Sequence, residues 1–394
     1  MSPKTPTTAR TEEDKPARVP KLRFPEFRGT EGWKQTPLGD CLDYQQPTPY
    51  LVADTKYSPA FKTPVLTAGK TFILGYTEEQ HGIFNEGLPV VIFDDFTTAT
   101  QFVNFPFKAK SSAMKILQAK NGADIKFMYE ALQTLSYEVG AHERHWISNF
   151  APMLVPVPSP AEQQKIAECL SSVDELMAAQ ARKVDVLKTH KKGLMQQLFP
   201  TEGETQPRLR FPEFQNAGEW EESTVEELIV TVTPPQKLQT ADYQPEGEFP
   251  IVDQSQDYIC GWTNDGEAVI DKGLPVIVFG DHTCVLKFID QPFAQGADGI
   301  KILRPKRGID IRFLYYALEA NPVAQESYKR HFSMLKEKKL FYPDPKSGEQ
   351  YRIATCLSSL DALITLETQK LEALKTQKKG LMQQLFPSPE EIKE

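Results

Sequence analysis

The chain says nearly the same thing twice. KKGLMQQLFP stands at 191–200 and again at 378–387, and PKLRFPEF at 20–27 returns as PRLRFPEF at 207–214, both at an offset of 187. The repeat unit is close to half of the 394 residues, so two related halves are the natural division. A chain duplicated at this length presents two related surfaces to something that itself has two halves.

The two copies match unevenly. Residues 161–200 and 348–387 are identical at 24 of 40 positions, whereas the blocks between share only a skeleton. Leu88-Pro89-Val90 answers Leu274-Pro275-Val276. Met114-Lys115-Ile116-Leu117 answers Ile300-Lys301-Ile302-Leu303, and His145 answers His331. These inner matches run at an offset of 186. The pattern is one scaffold carrying two different faces.

The best-matched segment of each half predicts a long helix. Ser159-Pro160-Ala161-Glu162 reads as a capping box with Pro at the first helical position, while the second start, around Ser347-Gly348-Glu349, is a weaker signal. Apolar rows then recur every seven residues. In the first helix they hold Ile166, Val173, Leu187 and Leu194, beside Leu170, Met177, Val184 and Leu198. In the second they hold Ile353, Leu360, Leu374 and Leu381, beside Leu357, Ile364, Leu371 and Leu385. This is a coiled-coil seam. Each helix spans about 35 residues, roughly 50 Å at 1.5 Å per residue, too long to bury in one small domain, so the two are expected to pack on each other. Gln180 and Glu367 interrupt the seam at one heptad level and are read as polar residues near water. Pro200 and Pro387 end the helices.

The blocks ahead of the helices read as α/β domains with a twisted, mostly antiparallel sheet. GLPVVIFDD and GLPVIVFGD are β-rich runs ending in polar turns, and IKFMYEALQTL and IRFLYYALEA have helical spacing. The expected divisions are an N-terminal arm 1–19 rich in Thr, Pro and charge, a first domain 20–158, a helix 159–200, a linker and second domain 201–343, a second helix 344–387, and a tail 388–394. No run of about 18 apolar residues occurs, so no span is expected, and a cytoplasmic location is. Five scattered cysteines lack metal-ligand spacing; Cys169 and Cys356, at equivalent positions, read as small buried helix residues. His142 and His145 do not repeat as a pair, so no metal is expected.

No phosphate loop, dinucleotide fingerprint, zinc-hydrolase helix or nucleophile elbow occurs, and no methyltransferase catalytic segment either. The chain is therefore read as non-catalytic, with no cofactor of its own. The net charge of −8 is the wrong sign for a nucleic-acid binder acting alone. Local charge differs: residues 285–340 carry 11 Lys and Arg against 6 Asp and Glu. Phosphate-contact candidates are Lys108, Lys110 and Lys115 in the first half and Lys287, Lys301, Arg304 and Arg307 in the second. Base-contact candidates sit in polar loops after strand starts, Thr67 to Lys70 and Gln254-Ser255-Gln256. Others are Lys110-Ser111-Ser112 and the turns at Asp94-Asp95 and Asp281-His282-Thr283. Gln suits adenine and Lys suits guanine.

LRFPEF before a Trp, the paired GLPV strands and the two helices ending in KKGLMQQLFP together resemble the specificity subunit of type I restriction–modification systems, across nearly the whole chain beyond residue 19. The resemblance implies an α+β protein with two target-recognition domains, each followed by a long helix. The helices would pack as an antiparallel coiled-coil spacer with pseudo-two-fold symmetry. It also implies partners: double-stranded DNA, two methyltransferase subunits that carry S-adenosylmethionine and methylate adenine N6, and restriction/translocase subunits that use ATP and Mg2+. Each domain would read one half of an asymmetric bipartite site. The rival readings are a specificity subunit serving a fused restriction–methyltransferase, a coiled-coil scaffold with no DNA role, and an enzyme whose motif is hidden.

Overall fold

The computed structural model describes residues 19–67, 71–137, 144–201, 203–297, 299–325 and 330–387. The C-terminal tail, nearly all of the N-terminal arm, and Lys70 and His142 lie outside the described residues. Contacts divide the chain into two units, 1–180 with 370–394 and 181–369. The division falls inside the long helices. Each unit thus holds one domain, the near part of the helix that follows it, and the far part of the other helix.

In chain order the first half contains β1 (Lys34–Pro37), α1 (Leu38–Cys41), β2 (Leu42–Gln45), β3 (Thr63–Leu66), β4 (Ile73–Thr77), β5 (Val90–Asp94), β6 (Thr100–Val103), β7 (Lys108–Ala109), β8 (Met114–Ala119), α2 (Ile125–Gln133), β9 (Leu154–Val157) and α3 (Pro160–Leu198). The second half repeats the plan with β10 (Glu221–Thr224), α4 (Val225–Leu228), β11 (Ile229–Val232), β12 (Phe249–Val252), β13 (Gly261–Thr263), β14 (Val269–Ile270), β15 (Val276–Gly280), β16 (Leu286–Ile289), β17 (Phe293–Gln295), β18 (Ile300–Pro305), α5 (Ile311–Ala320), α6 (Phe332–Glu337), β19 (Lys339–Tyr342) and α7 (Glu349–Leu385).

Each domain has two larger sheets rather than the single sheet expected. One is antiparallel, ordered β2-β8-β5-β6 in the first domain and β11-β18-β15-β16 in the second. The other is mixed, ordered β4-β3-β7 or β13-β12-β17-β14, with β3 parallel to β7 and β12 parallel to β17. The central strands explain the unbroken apolar runs. Val91 and Phe93 of β5 enter the core that holds Trp33, Phe127 and Trp146, while Val90 and Ile92 enter a second core with Phe84 and Phe107. Ile277 and Phe279 of β15 and their neighbours Val276 and Val278 divide in the same way. A strand buried on both faces has no polar alternation to show. The peptide bonds Leu88-Pro89 and Leu274-Pro275 just before these strands are both cis. Gly75 and Gly261 admit a close pass in each copy: a Cβ there would lie 2.7 Å from Tyr57 Cβ and 2.9 Å from Tyr243 Cβ.

The long helices are sewn into their domains by a repeated Glu-Gln pair. The capping box expected at Ser159 forms only on one side: Ser159 Oγ accepts from the Glu162 N–H at 3.4 Å. The Glu162 carboxylate does not return to the cap. It takes a bidentate pair from Arg23, both bonds at 2.7 Å, and a bond from the Trp33 indole at 3.2 Å. A buried guanidinium needs a planar anion, and that requirement outweighs a cap available at the water's edge. Arg210 and Glu349 repeat the pair at 2.8 and 2.5 Å. The next residue, Gln163 or Gln350, accepts from the N–H of Asp124 or Asp310 at 2.9 and 2.8 Å. Those aspartates in turn cap α2 and α5 through the N–H of Phe127 and Phe313, each at 2.8 Å.

The seam is where the heptads place it. Ile166, Leu170, Val184, Leu198, Ile353, Leu357 and Leu385 are buried, and Val173, Met177, Leu187, Leu194, Leu360, Ile364, Leu371, Leu374 and Leu381 are half-buried. Within each unit the two helices run antiparallel. Leu385 joins Ile166 and Leu170 in the first, while Leu198 joins Ile353 and Leu357 in the second. Glu367 departs from expectation: it is buried and paired with Lys183 at 3.0 Å, not near water. Cys169 and Cys356 are half-buried rather than buried.

One seam lysine per unit locks helix pair to domain. Lys378 bonds Asp174 at 2.8 Å and Glu130 of α2 at 3.0 Å. Its counterpart Lys191 bonds Asp361 at 2.8 Å and Glu319 of α5 at 3.1 Å. Burial works against charge at Lys378, but Asp174 and Glu130 outweigh it and its pKa is raised. Burial likewise opposes ionisation of Asp174, yet the bonds from Lys126 and Lys378 hold its pKa below the ordinary value. The depressed carboxylate contributes stability that is present above its unfolded pKa of about 3.9 and lost as pH falls through the folded value. The raised lysine contributes stability that is full below about 10.4 and lost as pH rises through its folded value. Amide exchange in α2, once corrected for intrinsic rates, is therefore expected to be slowest at intermediate pH and to quicken at both extremes. Protection that does not change below pH 4 would contradict this.

Candidate nucleic-acid interface

Three loops meet at one end of each domain. In the first domain they are the β3–β4 hairpin, the β5–β6 turn and the loop 110–113 between β7 and β8. Lys110 donates its N–H to Leu66 O at 2.9 Å, and Asp95 donates its N–H to Ala113 O at 3.0 Å, so the loop is tied to both neighbours. The mouth of the β3–β4 hairpin is closed by Thr67, whose N–H reaches Phe72 O at 2.9 Å and whose hydroxyl reaches Thr71 O at 2.6 Å. Ser111 and Ser112 are exposed at the tip, and Lys110 lies 5.8 Å over the Tyr57 ring.

The second domain gathers the loop 253–260, the β15–β16 turn and residues 296, 297 and 299. The Asp281 N–H donates to Gly299 O at 2.6 Å, and the Gly296 N–H to Val252 O at 2.9 Å. Gln254 clasps the turn: its amide oxygen accepts from the His282 N–H at 3.3 Å and its carbonyl from the Thr283 hydroxyl at 2.7 Å. Gln256 and Tyr258 are exposed on this loop, while Ser255 is half-buried. The two turns share one backbone form, with Thr98 and its counterpart Cys284 both at positive φ, 59° and 56°. What they offer differs, Phe96-Thr97 on one and His282-Thr283 on the other.

An aspartate holds each of these ends together. Asp95 accepts the Trp146 N–H at 2.9 Å and its carbonyl accepts the His145 N–H at 3.0 Å; Lys115, itself buried, pairs with its other oxygen at 3.2 Å. Asp281 does the same for Phe332 and His331, both at 2.8 Å. Asp95 and Asp281 are thus internal anchors, not tips, which corrects the reading of those turns as base contacts at these two residues.

Three of the lysines proposed from charge alone are also internal. Lys108 is buried against Glu79 at 2.7 Å and His81 O at 2.6 Å. Lys115 is spent on Asp95. Lys287 braces the 253–260 loop from beneath, bonding Asp253 O at 2.8 Å and Asp257 O at 2.5 Å, and burial lowers its pKa. An ammonium committed to carbonyls or a carboxylate in the interior does not meet a phosphate. Lys301 is half-buried, 5.5 Å over the Phe332 ring, at the loop-bearing end of β18. Arg304 and Arg307 lie at the other end of that strand, with Arg304 bonded to Lys272 O. At about 3.4 Å per residue the strand separates them from the loops by more than 10 Å.

The loops expected from the sequence thus meet at one end of each domain, while three of the expected phosphate-contact lysines are internal. The aromatic Phe96 and Tyr258, exposed at these ends, are not among the residues expected from the sequence. An aromatic residue directly after the Asp-Asp of a hairpin, where a turn prefers small polar residues, was the available signal.

Comparison with known proteins gives concordant results. The model of the type I restriction modification DNA specificity domain matches residues 217–376. The chain is 32% identical over 376 residues to the EcoR124I/EcoR124II type I restriction enzyme specificity subunit of Escherichia coli, covering 85% of this chain and 88% of that one. It is 22% identical over 419 residues to the MjaVIII type I restriction enzyme specificity subunit of Methanocaldococcus jannaschii, covering 94% and 96%. Its fold resembles the crystal structure of the type I restriction–modification S subunit from M. genitalium, with a TM-score of 0.66 at 18% identity over 94% of this chain and 100% of that one.

Proposed function

This chain belongs to the specificity-subunit family of type I restriction–modification enzymes, and from that premise we propose that the loop-bearing end of each domain reads one half of a bipartite double-stranded DNA site. As a member of the family it is a DNA-recognition subunit and performs no catalysis itself. The observation that carries the reading of the ends is their construction. One frame of anchored aspartate, turn and strand is built twice, and the side chains it displays differ between copies. Two different displays on one frame suit an asymmetric target.

The long helices suit the methyltransferase partners, which would bring S-adenosylmethionine, with restriction subunits bringing ATP and Mg2+. Leu176 and Leu363 occupy the same repeat position and both are exposed on their helices. Two equivalent apolar marks fit two copies of one partner. Leu176→Asp is expected to lower the number of methyltransferase subunits per chain from two to one, as counted by native mass spectrometry; retention of two would remove this face. The net charge of −8 is then no obstacle, because the partners supply cationic surface around the duplex.

Gln256→Ala tests the DNA reading. Loss of a base contact costs about 1–3 kcal/mol of cognate binding. Binding of the methyltransferase complex to unrelated duplex, which rests on phosphates, is expected to stay unchanged. Equal cognate affinity would take this loop out of the interface. Gln254→Ala should differ by also loosening the turn it clasps, seen as faster amide exchange at 281–285.

A further inference from the structure

We propose that the first domain recognises its half-site through the methyl groups of thymine, whereas the second relies on hydrogen bonding; the proposal rests on the loop-bearing ends being the DNA-reading ends. Exposed apolar side chains scattered singly over a surface mean little. In the first domain four of them fall on the one end already described. Ile73 and Leu74 open β4 at the hairpin mouth, Phe96 sits on the β5–β6 turn, and Ile147 follows Trp146, whose N–H is held by Asp95. All four are exposed, Ile147 by 59%.

The repeat supplies an internal control. At the matching positions the second domain has Cys260 for Leu74, His282 for Phe96 and Ser333 for Ile147, while Ile259, matching Ile73, is half-buried. The frame therefore does not need apolar residues at these places. What the second domain exposes instead is the amide-bearing Gln256, beside Tyr258, whose hydroxyl donates to Phe288 O at 2.5 Å. Of the features that DNA base edges present in the major groove, only the thymine C5 methyl group is apolar, and aliphatic and aromatic side chains are its complement. Lys110, Ser111 and Ser112 flank the apolar group and suit the phosphates beside it.

The test uses the complex of the full chain with its methyltransferase, and synthetic duplexes containing the two-part site found by methylation mapping. Deoxyuridine replaces thymidine in one half-site at a time, which deletes the methyl and leaves base pairing intact. Affinity is expected to fall about fourfold per contacted methyl in one half-site, and by less than twofold in the other. The sensitivity is expected to vanish in the Leu74→Ser, Phe96→Ser variant, which assigns that half-site to the first domain. Insensitivity of both half-sites, or sensitivity that persists in the variant, overturns the proposal. Uracil insensitivity combined with weaker binding by the variant also overturns it, leaving these side chains as wedges between base steps. Failure of the underlying reading shows earlier and differently: the unmodified site would then bind no better than unrelated DNA. The uracil comparison needs no mutant, so a poorly folding variant does not blunt it.

Discussion

Asp95→Ala is expected to remove methylation at the cognate site and to cost the first domain about 3–5 kcal/mol, the usual penalty for leaving one partner of a buried ion pair uncompensated. Lys115 is buried, and Asp95 is its counter-charge at 3.2 Å. The same carboxylate satisfies the Trp146 N–H, so the substitution orphans an ammonium and a backbone donor together. The three loops would lose their common anchor. Amide exchange should accelerate in β5, β8 and residues 146–150, with little change in residues 221–342. Asp281→Ala makes a graded comparison. It gives up the bond to the Phe332 N–H, but Lys301, the counterpart of Lys115, is only half-buried over an aromatic ring. A smaller loss, about 1–2 kcal/mol, is expected there. Equal losses in the two domains would show that the buried lysine is not the deciding term.

Glu162→Ala should be the most damaging change at a helix start. Among the described residues Glu162 is the sole carboxylate bonded to Arg23, and it also receives the Trp33 indole. Its loss leaves a buried guanidinium and a buried indole N–H, and about 3–5 kcal/mol is expected. Glu349→Ala removes the equivalent partner of Arg210, but the Trp220 indole has no hydrogen-bond partner among the described residues, so one group fewer is orphaned. The order Glu162→Ala worse than Glu349→Ala is checked by exchange protection at the two helix starts, 160–167 against 349–356. Because a chain with two units is not a two-state system, a regional probe is more informative than one melting temperature.

These two sites also show what the sequence made legible. The heptad rows were readable because burial in a two-helix seam leaves a strict period, and every seam residue named from that period is buried or half-buried. The strands at 90–94 and 276–280 were readable as β-rich, but not the fact that each has a core on both faces. That requires knowing that a second sheet exists, and its strands are short and interrupted by polar loops. Glu162 was misread because Ser-x-x-Glu has a local explanation, while its true partner lies 139 residues earlier. Lys108, Lys115 and Lys287 were overcounted for the same reason. A count of charge does not register which ammonium has an interior carboxylate or carbonyl waiting for it, and long-range pairing is invisible in a composition window. The loops themselves are legible as loops because Gln, Ser, Thr and Lys clusters after strand starts have a local cause. The apolar side chains at their ends are not legible in the sequence, since exposed Ile, Leu and Phe break the pattern by which surfaces are recognised.

The most direct test of the central claim is the map of N6-methyladenine at single-base resolution in cells that carry this chain with its methyltransferase, compared with cells lacking the chain. The account predicts a motif of two specified parts separated by a fixed unspecified gap, present only with the chain. It also predicts that changes at the end of one domain alter one part and leave the other intact. An undivided motif, or methylation that persists unchanged without the chain, would contradict it.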